Sequence, residues 1–165
     1  MALTGNGNYI EDFEVGDVYK HSRGRTVSEM DNHLSTHMTM NTAQAHFNKE
    51  YMKTMMDGIF PERLVMGGFT MAIVVGLTAQ DISENAIADL EYTAIRNLAP
   101  VFHGDTLFAE TEILEVKESE VRPDAGILRC KIRGRNQTGK QVWEGERTLL
   151  IKKRSYWDDG AGADR

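Results

Sequence analysis

The chain reads as an α+β protein in which an antiparallel β-sheet wraps around a central apolar α-helix. Residues 69–80, Phe69-Thr70-Met71-Ala72-Ile73-Val74-Val75-Gly76-Leu77-Thr78-Ala79-Gln80, are apolar on nearly every face, so a helix here has to be covered by another layer. Three segments with strand patterning follow it, at 105–116, 126–135 and 141–152. Only short turn-forming stretches separate them, and consecutive strands joined in that way make an antiparallel sheet.

From the N-terminus, residues 1–8 with Gly5-Asn6-Gly7-Asn8 offer no apolar anchor and are expected to be mobile, as is the small-residue tail 158–165. Residues 9–157 show no linker, repeat or low-complexity break and are expected to form a single domain. Turn chemistry at Gly16-Asp17 and short apolar segments predict an extended opening over 9–26. Ser28, with Asp31 three residues later, forms a carboxylate variant of the capping box and predicts a helix running towards Met40. Asn48 can cap a second helix through Lys49, Glu50 and Tyr51, with Asp57-Gly58 as its stop. Gly67-Gly68 leads into the apolar segment. Its β-branched Ile73, Val74 and Val75 pull towards a strand, but its length and alanines favour a helix. A weaker fourth strand pattern covers 90–98. Arg122-Pro123-Asp124-Ala125-Gly126 and Asn136-Gln137-Thr138-Gly139 supply the later turns.

At 165 residues the chain is long enough to bury a real core without covalent staples. Its single cysteine, Cys130, excludes an internal disulfide and a cysteine-only metal cage, and suits a reducing cytoplasm. The net charge of -6 argues against a general binder of nucleic acid or of an anionic membrane. The first residues show neither a basic lead nor an apolar run, so no signal peptide is expected. The longest apolar stretch, around 71–77, is too short to span a bilayer.

The segment Thr39-Met40-Asn41-Thr42-Ala43-Gln44-Ala45-His46-Phe47-Asn48 carries the chemistry. It sets a carboxamide and an imidazole five positions apart at the approach to a helix, where geometry can be held tightly enough for proton transfer; on spacing alone His46 equally suits packing in a loop or capping a helix without any chemistry. It resembles the signature of the MaoC-like (R)-specific enoyl-CoA hydratases, D-x-N-P-x-H followed by F/L-D/N-x-x-Y. In that register Asn41 stands for the family Asp, Ala43 for the Asn and Gln44 for the Pro, while His46 and Asn48-Lys49-Glu50-Tyr51 match. The T-M-N-T form is similar to a branch that includes mesaconyl-CoA hydratases. Two further stretches, Glu11-Asp12-Phe13-Glu14-Val15-Gly16-Asp17 and Ala99-Pro100-Val101-Phe102-His103-Gly104-Asp105-Thr106-Leu107, resemble the family's opening and its P-V-F-x-G-D-x-L turn.

The resemblance implies a hotdog fold and a hydro-lyase that adds water reversibly to a short 2-enoyl-CoA, including a branched dicarboxylic one such as mesaconyl-CoA. It implies a homodimer or higher homo-oligomer with the site at the subunit interface, and no cofactor beyond the CoA thioester that serves as substrate. Gly67, by its distance from Gly76-Leu77, falls on the glycine whose amide polarises the thioester oxygen. His46 becomes the acid/base, while Asn41 can orient groups by hydrogen bonds but cannot take a proton. Two rivals share the fold: an acyl-CoA thioesterase, which needs a carboxylate near the helix start that Gly67-Gly68-Phe69-Thr70 lacks, and a non-catalytic acyl-CoA or acyl-carrier-protein binding subunit, for which Asn41 is the chief argument.

Other candidates carry less. His33 and His37 have metal-ligand spacing on a helix but no third ligand at a recognisable offset, so no metal is expected. Asp31 serves its cap, and His103 is expected to be exposed in its turn. Arg129, Lys131, Arg133 and Arg135 alternate along one strand face, which suits a solvated sheet face or, failing that, CoA phosphates; Lys152-Lys153-Arg154 leaves the same choice.

Overall fold

The structure is a computed structural model that describes residues 7–157. Its frame is one antiparallel sheet in the order β1-β4-β5-β6-β3, with the two-residue β2 also paired to β4. The strands are β1 (Val18–Lys20), β2 (Arg25–Thr26), β3 (Ala86–Asn97), β4 (Thr106–Glu118), β5 (Ala125–Asn136) and β6 (Gln141–Lys152). Among the described residues the α-helices are α1 (Glu29–Met38), α2 (Lys49–Met52), α3 (Gly67–Leu77) and α4 (Arg154–Trp157), with shorter helical turns between elements.

β4, β5 and β6 form the expected meander, because local turn chemistry dictates it. Between β5 and β6 the Asn136 carboxamide oxygen accepts from Thr138 and Lys140 amides while Gly139 takes φ +81°. β3 departs from sequence order: instead of joining β4 it crosses to the far side of β6. It also starts earlier than its pattern suggests, at Ala86. Its period is broken by register shifts, including one between Thr93 and Arg96 where Ala94 takes φ +49°. Those bulges blur the alternation that identifies a strand.

α3 lies against the sheet where Gly134 of β5 removes an obstacle, since a β-carbon there would sit 2.5 Å from Val74 Cγ2. The helix is covered on one side only. Thr70 and Val74 are buried, whereas Phe69, Met71, Ile73, Val75 and Leu77 pack partly against the core. The core proper lies between α3 and the sheet, around Val74, Leu107, Ile113, Leu128, Cys130, Ile132, Trp143 and Leu149.

The capping box forms as expected: Ser28 Oγ accepts from the Asp31 amide and the Asp31 carboxylate accepts from the Ser28 amide. Asn48 caps α2 by accepting from the Tyr51 amide, but α2 ends at Met52, well before Asp57-Gly58. A separate tight turn over Met55–Gly58 follows it, in which Met56 and Asp57 take positive φ. Of the end expected to be mobile, Gly7 and Asn8 are held: Asn8 is buried and donates to the Gln80 carbonyl at 2.6 Å, and Asn85 donates to the Gly7 carbonyl. Residues 1–6 and the tail 158–165 lie outside the described residues. No helix among the described residues is long and apolar enough to cross a membrane.

Candidate active site

Three stretches of chain converge beside the start of α3: the turn Gln44–His46, the approach Leu64 to Met66, and the segment after β3. Backbone bonds lock them together, Leu64 N to Ala45 O at 3.0 Å and Val65 N to Val101 O at 2.8 Å. They line an open cavity of ≈ 400 Å³ whose polar groups come from His46, Gly67, Thr70 and Asn97, in an otherwise apolar wall that includes Phe60, Leu64 and Val101.

His46 Nδ1 lies 2.9 Å from the Leu64 carbonyl oxygen. A carbonyl can only accept, so the neutral ring carries its proton on Nδ1 and presents the Nε2 lone pair. Nε2 makes no hydrogen bond among the described residues. Gly67 opens α3, and the residue before it, Met66, provides no side-chain cap. Phe69 and Thr70 amides both return to the Met66 carbonyl, whereas the Gly67 and Gly68 amides have no partner among the described residues. An uncapped helix start of this kind presents fixed donors backed by the helix dipole. His46 and Gly67 therefore share one cavity.

Asn41 is placed elsewhere. Its side-chain oxygen accepts from the Ala43 amide at 2.9 Å, closing the turn ahead of His46, and it does not line the cavity.

Sequence reasoning missed Asn32, the residue that ties the site together. It is 1% exposed, and its carboxamide donates to the carbonyls of His46 (2.9 Å) and Leu64 (3.1 Å) while accepting from the Met66 amide (3.2 Å). One buried side chain on α1 thus anchors both the histidine turn and the entry to α3. An asparagine in mid-helix gives no such signal in sequence, because its partners lie 14 to 34 residues away.

Next to Leu64, the buried Arg63 donates to Glu29, to Glu62 and to His33 Nε2. Since a guanidinium cannot accept, that His33 nitrogen is the acceptor and points away from metal duty. Among the described residues no cluster of three or more His, Cys, Asp or Glu side chains could hold a metal ion. The Glu62 carboxyl is held down at about 2, first by the Arg63 backbone amide it accepts from, against burial, then by the Arg63 and Lys49 side chains. His103, expected to be exposed, is partly buried with Nε2 3.7 Å from Glu62. The basic face of β5 is matched by carboxylates on its neighbours. Arg129 meets Glu146, Lys131 meets Glu144, and Arg133 meets Glu110 and Glu112. Lys153 likewise pairs with Glu118. A second polar chain, Asp81 to His21 (2.6 Å) to Thr111 (2.8 Å), lies beyond the other end of α3, with His21 and Thr111 buried.

An apolar helix against an antiparallel sheet, with a histidine and a helix-start glycine sharing a neutral cavity, defines a hotdog-fold protein of the MaoC-like type. A MaoC domain protein from Chloroflexus aurantiacus superposes with TM-score 0.82 at 27% identity, covering 91% of this chain and 46% of that one. A Mycobacterium tuberculosis protein with a double hotdog fold gives 0.79 at 20% identity over 96% and 51%, a likeness of fold alone. The family model described as mesaconyl-CoA hydratase matches residues 2–165, and the chain belongs to that family. Mesaconyl-CoA hydratase of Cereibacter sphaeroides is 32% identical over 151 residues, 92% of this chain and 43% of its own length. Beta-methylmalyl-CoA dehydratase of Chloroflexus aurantiacus is 31% identical over 131 residues, 79% and 36% respectively. The chain thus spans less than half the length of these two relatives.

Proposed function

We propose that this chain adds water reversibly to a short 2-enoyl-CoA. The observation that carries the reading is the pairing of an unengaged His46 Nε2 with the open Gly67 amide in one cavity. In the forward direction, Nε2 takes a proton from water as the water oxygen bonds to the β-carbon. The double-bond electrons move through the α-carbon onto the thioester oxygen, where the Gly67 N–H stabilises the developing charge. The imidazolium then returns its proton to the α-carbon and the carbonyl re-forms. Leu64 holds the ring throughout, since Nδ1 keeps its proton in both states. One imidazole serving both proton transfers delivers H and OH to the same face. Asn41 supports this by closing the turn that presents His46.

The names of the relatives make a branched C5 dicarboxylyl thioester such as mesaconyl-CoA the first substrate to try. Among the described residues no lysine or arginine lines the cavity, so its free carboxylate would meet neutral donors there. No Asp or Glu among the described residues lines it either, which counts against the thioesterase reading. A second copy is expected to complete the molecule: the outer edge of β3 has no partner strand among the described residues, and Leu90 and Ile95 on it are exposed. Long open edges of that kind are paired or covered in stable proteins.

A panel of mesaconyl-CoA, crotonyl-CoA and their saturated analogues, followed for loss of the enoyl chromophore and for free thiol, tests the reading. Hydration without thiol release is expected, with His46→Ala slower by about 10²–10⁴-fold. Thiol release alone would make the protein a thioesterase. Tight binding with neither reaction would make it a binding subunit.

A further inference from the structure

We propose that Asn97 supplies a second hydrogen bond to the thioester oxygen, so that its carboxamide and the Gly67 amide form a two-donor oxyanion site. This rests on the hydratase reading above.

A β-carbon on Gly67 would stand 2.6 Å from Asn97 Nδ2, 3.1 Å from its Cγ and 3.2 Å from its Oδ1. The carboxamide therefore lies directly over the α-carbon of Gly67, and both residues line the cavity that holds His46. That contact explains the glycine. Gly67 is helical, without the positive φ that would demand glycine on backbone grounds, so what its missing side chain provides is room for Asn97.

The Asn97 carboxamide is also unlike the others among the described residues. Asn8, Asn32, Asn41, Asn48, Asn85 and Asn136 each engage theirs in hydrogen bonds within the fold. Asn97 makes none among the described residues and is left with two N–H donors at the cavity wall. Its main chain is nevertheless fixed. Asn97 pairs with Trp143 as the last residue of β3, and the next amide, Leu98 N, donates to the Val142 carbonyl at 2.8 Å. The register shift just before it, between Thr93 and Arg96, turns this end of the strand, as bulges next to sites do. With the main chain held at the strand end, only the side-chain torsions of Asn97 are left to adjust when charge appears on the oxygen.

The test uses Asn97→Ala and the near-isosteric Asn97→Asp, both at an exposed position where circular dichroism should match the parent. Asn97→Ala should lower kcat for hydration on the order of 10²–10³-fold, as for loss of one oxyanion donor, with KM changed much less. Bound 2,4-hexadienoyl-CoA reports polarisation of the carbonyl directly. Its absorbance should shift to longer wavelength on the parent protein, shift less on Asn97→Ala, and lose the shift on Asn97→Asp, whose carboxylate repels the oxyanion. Gly67→Ala keeps its N–H but displaces the carboxamide, so it should slow turnover as Asn97→Ala does. The double variant should then be no slower than Asn97→Ala alone.

Unchanged kcat and an unchanged spectral shift in Asn97→Ala would overturn the assignment and leave the hydratase reading intact. A parent protein that shifts the probe through Asn97 but hydrates no thioester would sink the hydratase reading and keep the donor. A parent that leaves the probe spectrum unmoved would sink the assignment.

Discussion

Replacing Asn32 by leucine should loosen the site and the fold together, and the structure gives the size of the effect. The side chain is fully enclosed and makes three hydrogen bonds, to the His46 and Leu64 carbonyls and from the Met66 amide. Leucine fills similar space, so the cavity contribution is small and the loss is polar. Leu64 O keeps a partner in His46 Nδ1, whereas His46 O and Met66 N are left with none among the described residues. Each unsatisfied buried group costs about 1–3 kcal/mol, so the pair costs roughly 2–5 kcal/mol, taken low because the backbone there is only half-buried. For a chain of this length that corresponds to a fall of roughly 4–20 °C in Tm. Urea unfolding and thermal scans of parent and variant at matched protein concentration provide the measurement. Turnover should fall as well, since the histidine turn and the Gly67 amide lose the anchor they share. Asn32→Asp sharpens the argument. It keeps the acceptor for Met66 but sets a carboxylate against two carbonyls, so it should be no better than leucine at neutral pH. It should recover as acid protonates the carboxyl. An Asn32→Leu protein within about 0.5 kcal/mol of the parent, the range of an ordinary surface change, would refute the reasoning.

The same structure fixes two further outcomes. The Glu62 carboxyl is held at about 2 against an ordinary 4.5, a depressed acid, so its stabilising contribution is present above pH 4.5 and is lost as pH falls towards 2. Glu62→Gln should therefore be less stable than the parent at pH 7, with the two urea midpoints converging between pH 4.5 and 2. Burial pushes the Cys130 thiol up to about 12 and leaves its sulfur no solvent access. An aromatic disulfide reagent should titrate no thiol in the native protein at pH 8 and one after unfolding in guanidinium.

Local sequence determined whatever one turn or one face of an element can decide by itself. The Ser28–Asp31 box, the Asn48 cap, the Asn136–Lys140 turn and the alternation along β5 depend on neighbours a few residues apart, so their physics is complete in the string. His46 and Gly67 came instead from the family resemblance, His46 by its place in the motif and Gly67 by its distance from Gly76-Leu77. Tertiary structure decided the rest. The place of β3 beside β6 depends on a crossover and on bulges that erase its period, and the pairing of the basic β5 face depends on glutamates from two other strands. The shortening of α2 was likewise beyond its own cap signal, which marks a beginning and says nothing of an end. Asn32, Asn41 and Asn97 show the limit most clearly. They are the same residue type with the same donors and acceptors. One anchors the site, one closes a turn, and one lies open at the cavity wall, because a carboxamide takes its role from whichever backbone groups the fold brings within three ångströms of it.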